Sequence, residues 1–207
     1  MTTQPAAHQL PWQPMNVQDV VDNLRGAPFW WCIAGGIALE LATQTRIRAH
    51  SDIDVLMLHQ DHRALRQHLA DWDCWAADPP GTLVPWPCDS TLPPQVHDIW
   101  CRRSPTAPWC LQVMLDTGEA EQWRSRRNAK LQMPLSDLTR YTTAGAPFLA
   151  PHVQLFYKAK AIRAKDQLDF ESLLQSNCKV DWAWLAAAIE RTYDPDHPWL
   201  RALESSL

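Results

Sequence analysis

The 207-residue chain is 46% apolar, enough for a sizeable core, and carries a net charge of −4 with an isoelectric point near 6.0. That balance leaves no overall basic surface and argues against nucleic acid as a partner. No apolar run reaches the roughly 18 residues of a membrane span, and the polar start of the chain lacks the apolar stretch of a secretion signal. Six cysteines without a C-x-x-C pair argue against structural zinc and for free thiols in a reducing, cytoplasmic setting.

In chain order, residues 1–14 read as a flexible arm. Asn16 can cap a helix over residues 17–24, with Val17, Val20, Val21 and Leu24 as its buried stripe and Gly26 as its stop. An apolar run from Trp30 ends at Gly35-Gly36, and the alanine- and leucine-rich segment 37–42 has helical character. Residues 52–58 alternate as a strand, with Asp52, Asp54, Leu56 and Leu58 on one face and Ile53, Val55 and Met57 on the other. Asp61 caps a helix over 62–70. Strand-like runs follow at 74–77, 82–86, 96–102 and 109–115, and prolines in 79–94 and 105–108 mark the loops between them.

From Pro134 the composition shifts towards helix. The pattern predicts a short helix from Ser136 to Tyr141, a turn at Gly145-Ala146-Pro147, and a long helix over about 152–175 opened by Pro151. A helix over 181–192 and another beginning near Pro198 complete the chain. Mixed strands after a strand–helix start predict an α/β (α+β) fold, a mixed sheet flanked by helices. The expected division is a core over residues 15–133 and a helical subdomain over 134–207 packed on it.

The chemistry concentrates at residues 30–58. Two carboxylates on one strand face repel each other and need a counter-charge. A divalent cation supplies it, and magnesium is commonly held by one or two carboxylates together with substrate phosphates. Gly35-Gly36 lets a phosphate chain approach the backbone at the start of the following helix.

Gly35-Gly36, a helix and Asp52-Ile53-Asp54 together resemble the signature of the polymerase-beta-type nucleotidyltransferases. The fifteen residues between Gly36 and Asp52, with Thr45-Arg46 and His50-Ser51 among them, are similar to the aminoglycoside and lincosamide nucleotidyltransferase branch. The resemblance implies that Asp52 and Asp54 are catalytic metal ligands and that a neighbouring strand adds a third carboxylate. Asp98 is the first choice for it and Asp116 the second, with Glu119 and Glu121 behind them. Gln112 at that place would instead put a neutral amide where the branch has an acid.

For phosphate contacts the resemblance implies the backbone of Gly35 and Gly36, then Lys158, with Lys160 close behind. Arg46 and Arg48 are further candidates, and His50 is a candidate for orienting a ligand. His152 stands where the branch more often has Glu. Arg126-Arg127 after Trp123 resembles a feature of the branch too, but reads as a structural ion pair. The expected activity is magnesium-dependent transfer of a nucleoside monophosphate, AMP from ATP, to a hydroxyl of a small molecule such as an antibiotic. The alternatives are modification of a partner protein, as in toxin–antitoxin pairs, and an inactive nucleotide-binding relative. The acceptor, the nucleotide base and the oligomeric state are not legible.

Overall fold

The computed structural model describes residues 11–206. Most of the expected arm, residues 1–10, lies outside them. Residues 11–14 do not hang free. The Trp109 N–H donates to Pro11 O at 3.0 Å and the Gln13 N–H to Trp109 O at 2.8 Å, so backbone pairing fixes this stretch alongside the chain entering the central sheet.

Helix α1 spans Val17–Asn23 and opens with a capping box: Asn16 Oδ1 accepts the Asp19 N–H at 2.8 Å, and the Asp19 carboxylate accepts the Asn16 N–H at 3.3 Å. Gly26 follows at φ +70°. Strand β1, Trp31–Ala34, leads directly into α2, Gly35–Thr43. The two glycines are therefore the first turn of the helix and not a turn ahead of it. Strand β2 is Asp54–Leu58, followed by a single 3₁₀ turn and α3, His62–His68, which buries Leu65. Asp61 makes no side-chain cap there.

Strands β3 (Asp73–Ala77), β4 (Leu83–Pro85), β5 (Asp98–Arg102) and β6 (Leu111–Glu119) match the four strand-like runs. The short strands β7 (Gln122–Arg124) and β8 (Gln132–Pro134) continue from the end of β6 as a side branch. After α4, Leu135–Leu138, the chain returns to the main sheet as β9 (Thr139–Tyr141) and β10 (Pro147–Leu149).

The main sheet runs in the order β4-β3-β5-β6-β2-β1-β10-β9. Strands β2 and β6 are parallel, as are β1 and β10, and the other neighbours are antiparallel. On β3, β5 and β6 the face carrying Cys74, Ile99 and Val113 is fully buried. The face carrying Trp75, Trp100 and Gln112 is only half-buried.

The long helix expected over 152–175 is broken. Helix α5 is Pro151–Ala159 and α6 is Ala164–Leu174, with Arg163 as the N-cap of α6 in extended backbone. Asp166, three residues on, accepts the Arg163 N–H at 3.1 Å. That N3 carboxylate is the local signal for a new helix start. Helices α7 (Trp182–Thr192, capped by Asp181) and α8 (Pro198–Ser206) follow. Buried Phe170 and Trp199 stack at 4.4 Å with 7° between their planes, joining α6 to α8. No helix among the described residues is long and apolar enough to cross a membrane, and all six cysteines are free.

Candidate active site

One row of backbone partners crosses the sheet: Ala34 on β1, Asp54 on β2, Gln112 on β6 and Trp100 on β5. Asp54 opens its strand, and Asp52 lies two residues earlier, in the loop, rather than on the strand as the alternation predicts. Both aspartates line one cavity of about 460 Å³, together with Gly35, Gly36, Gln112 and Lys158. The expected pairing of the two acids in one space therefore stands on the loop–strand junction, not on strand alternation.

Gly35, at φ +67°, is where the chain turns from β1 into α2 under the acidic pair. A Cβ there would lie 2.0 Å from Asp54 Oδ2; a Cβ on Gly36 would lie 2.2 Å from Arg48 Nη2 and 2.5 Å from His50 Cε1. The two glycines thus admit a carboxylate and a guanidinium to the helix start. The Gly35 N–H is taken by Gln154 Oε1 at 2.7 Å, which ties α5 over the junction.

Burial pushes the Asp54 carboxyl up to about 7, and the neighbouring charge of Asp52 adds to it; Lys158 opposes the shift and Asp98 reinforces it. A positive charge beside such an acidic pair would favour its ionised form. Two carboxylates opening into a polar cavity are hard oxygen donors that suit magnesium.

Asp98 is the first residue of β5, opposite Met114 and two strands away from β2. Gln112 Nε2 donates to Asp98 Oδ1 at 3.1 Å. Among the described residues no three His, Cys, Asp or Glu side chains converge closely enough to hold a metal ion. The expected assignment of Asp98 as a third metal ligand therefore finds no assembled cluster. The reason is the register: the residue directly opposite Asp54 is Gln112.

The other acidic candidates are spent elsewhere. Asp116 is buried and accepts hydrogen bonds from Tyr157 Oη, Trp123 Nε1 and the Thr117 and Arg126 N–H groups. Burial and this carboxylate push the Tyr157 hydroxyl well above its ordinary range. Glu119 lines a different, smaller cavity and Glu121 is exposed beyond it.

Lys158 is buried and points into a network of charges. Its Nζ lies 2.9 Å from Asp166 Oδ1 and 2.9 Å from Asp169 Oδ2. Arg48 holds Asp169 at two points, 2.9 and 3.0 Å, and Arg163 Nε lies 2.6 Å from Asp166 Oδ2. Burial opposes ionisation of Asp166, but hydrogen bonds from Arg163 and Lys158 outweigh it and hold the carboxyl well below the usual range. The break after α5 creates this network by folding α6 back on Lys158.

Arg46 is not in this cavity. It lines a separate one of about 620 Å³ with Ile37, Arg140 and Tyr141, while Arg48 takes its place beside the aspartates. Glu40 accepts the Ile47 and Arg48 N–H groups at 2.8 and 3.0 Å and lies 2.8 Å from His50 Nε2, which fixes the loop carrying both residues.

Sequence reasoning misread Arg126 and Arg127. Neither makes an ion pair among the described residues; both line the aspartate cavity, and Arg127 Nε is buried with no hydrogen-bond partner. An orphaned buried donor at such a place is suited to an anion. The double arginine was the visible signal, but that neither side chain forms an ion pair among the described residues is a tertiary fact.

The comparisons with known proteins fall on the same features. The family model described as aminoglycoside-2''-adenylyltransferase matches residues 16–78, the segment containing Gly35-Gly36 and Asp52-Ile53-Asp54. No curated protein sequence matches. Among solved structures, the lincosamide antibiotic adenylyltransferase LnuA, in its lincomycin-bound form, superposes with a TM-score of 0.53 at 13% identity, covering 80% of this chain and 98% of that one. The antibiotic-resistance factor ANT(2'')-Ia superposes with a TM-score of 0.52 at 11% identity, covering 92% of this chain and 96% of that one. The resemblance to the antibiotic branch is borne out, and these matches support a nucleotidyltransferase. The chain carries the fold of the antibiotic nucleotidyltransferases and, over residues 16–78, the sequence pattern of the aminoglycoside-2''-adenylyltransferase family.

Proposed function

We propose that this chain is a magnesium-dependent adenylyltransferase that moves AMP from ATP to a hydroxyl of a small molecule. The observation carrying the reading is the acidic pair Asp52 and Asp54 in the lining of a cavity whose other charged side chains are mostly cationic. The family match over the same residues supports it.

Magnesium held by Asp52 and Asp54 would neutralise the charge that develops on the phosphates. Arg127, Arg163 and Lys165 line the wall that would face the triphosphate, and Arg48 and Lys158 offset the charge of the α6 carboxylates Asp166 and Asp169 beside it. The acceptor oxygen forms a bond to the α-phosphorus, the bond from that phosphorus to the bridging oxygen breaks, and pyrophosphate leaves. Asp98, held by Gln112, is the base for the acceptor proton. Positioning and electrostatics carry most of the rate in such transfers.

Gln112 opposite Asp54 favours a second reading, an inactive nucleotide-binding relative. One assay separates the two. Wild type incubated with ATP, magnesium and a panel of hydroxylated small molecules, antibiotics among them, should release pyrophosphate with at least one acceptor. The Asp52→Asn/Asp54→Asn double variant should release none while keeping its fold. Release by the double variant at the wild-type rate contradicts the assignment, and tight magnesium-ATP binding without any transfer selects the inactive relative.

A further inference from the structure

The cavity that receives Arg46 has no part in the adenylyltransferase reading. Its volume of about 620 Å³ is that of a site able to enclose a drug-sized ligand. Ile37, Glu40 and Leu41 recur at helical spacing, so one face of α2 lines it. Phe148 of β10 adds to the same apolar floor. Ile37 and Leu41 are only half-buried, packed on the core from one side and open to the cavity on the other.

The charge of this cavity is one-sided. Arg46, Arg140 and Lys179 line it, and Glu40 is the one carboxylate among its described lining residues. Glu40 is already engaged: its Oε1 takes the Ile47 and Arg48 N–H groups and faces His50 Nε2. None of the three cations forms an ion pair among the described residues. Arg140 and Lys179 also border a neighbouring cavity with Asp137 and Asp181, yet pair with neither carboxylate. Arg140 is held in place, its Nη1 donating to Asp137 O at 2.8 Å and to Thr139 O at 3.0 Å. A guanidinium fixed in this way matches the planar, charged oxygens of a carboxylate-type head.

Floor and rim together select the occupant. A small hydrated anion would leave the apolar floor in water, and three cations without acidic partners disfavour a neutral or cationic guest. Residues 1–10 contain no Asp or Glu, so that segment has no acidic side chain to offer the rim.

We propose that this cavity is a second small-molecule site and takes an amphipathic anion, an aromatic or alkyl body lying against Ile37, Leu41 and Phe148 with its carboxylate-type head among Arg46, Arg140 and Lys179. The site is independent of the adenylyltransferase reading and needs neither nucleotide nor metal.

The test is a fluorescence titration with 8-anilinonaphthalene-1-sulfonate and with N-phenyl-1-naphthylamine, the same rings without the sulfonate; both brighten in apolar surroundings. One saturable sulfonate site per chain is expected, about tenfold or more tighter than the uncharged probe. Arg140→Gln should weaken the sulfonate about tenfold and leave the uncharged probe within about twofold. Arg46→Gln/Lys179→Gln changes two exposed side chains and guards against misfolding of the Arg140 variant; it should weaken the sulfonate about fivefold. Lys165→Gln, on the aspartate cavity, should leave the affinity unchanged, and saturating ATP should not displace the probe. Equal affinity for the two probes, or equal sulfonate affinity in wild type and Arg46→Gln/Lys179→Gln, overturns the site. So does loss of sulfonate binding in Lys165→Gln or its displacement by ATP, since the probe would then occupy the aspartate cavity.

Discussion

Arg48 and Asp169 stand 121 residues apart in the chain and meet in a two-point contact, with Nε at 2.9 Å and Nη2 at 3.0 Å from the two carboxylate oxygens. Asp169 has no exposed side-chain surface, and Lys158 Nζ shares its second oxygen at 2.9 Å. This contact ties the loop ahead of the acidic pair to α6 and sets the cationic wall at its height over the cavity.

Removing the carboxylate should therefore be costly. Asp169→Ala strands Arg48 and Lys158 side by side without their common partner, and loss of one member of a buried charge pair typically costs about 3–5 kcal/mol. Urea unfolding should report a loss of that order. A loss under about 1 kcal/mol would mean that solvent reaches the network and that it holds nothing together.

Gly35 and Gly26 share a left-handed backbone, at φ +67° and +70°, but not their surroundings. A Cβ on Gly26 meets nothing within 4 Å, whereas one on Gly35 falls 2.0 Å from Asp54 Oδ2. Gly26→Ala should show only the backbone cost of about 1 kcal/mol and bind magnesium-ATP normally. Gly35→Ala should lose magnesium-dependent ATP binding as well, because Asp54 must move. Equal binding in both variants would show that the close approach at Gly35 is unimportant.

Acid stability should carry the mark of His152. The ring is buried at the start of α5, 5.0 Å from the Trp184 ring, and burial pulls its pKa down to about 4, with Asp181 partly offsetting the effect. The unfolded chain then binds a proton that the folded chain refuses between pH 6.5 and 4. Stability is full above 6.5 and falls as the pH drops through that window, by at most roughly 3 kcal/mol. Denaturant midpoints at pH 4.5 and 7.5 should converge in His152→Leu relative to wild type. An unchanged acid slope would assign it to other groups.

Much of this was legible beforehand because it is local. The capping box of Asn16 and Asp19, the Asp-Ile-Asp segment and the glycine pair all declare themselves within a few residues. The expected break-free helix over 152–175 failed because residues 160–163 contain neither glycine nor proline; the turn is imposed by Asp166, which caps α6 and pairs with Lys158. Strands β9 and β10 escaped notice because three residues beside Gly145 and Pro147 carry no alternation. The choice between Asp98 and Gln112 turns on a strand register that pairs residue 54 with residue 112, and Arg46 and Arg48 differ only in which side of their loop they face. Such facts exist only after the sheet has formed.

The most direct measurement is calorimetric titration of ATP into the protein with and without magnesium, in wild type and in Asp52→Asn/Asp54→Asn. Magnesium should strengthen ATP binding to the wild type by about tenfold or more and leave the double variant unaffected. Equal affinity in all four titrations would contradict a metal-assisted nucleotide site at Asp52 and Asp54.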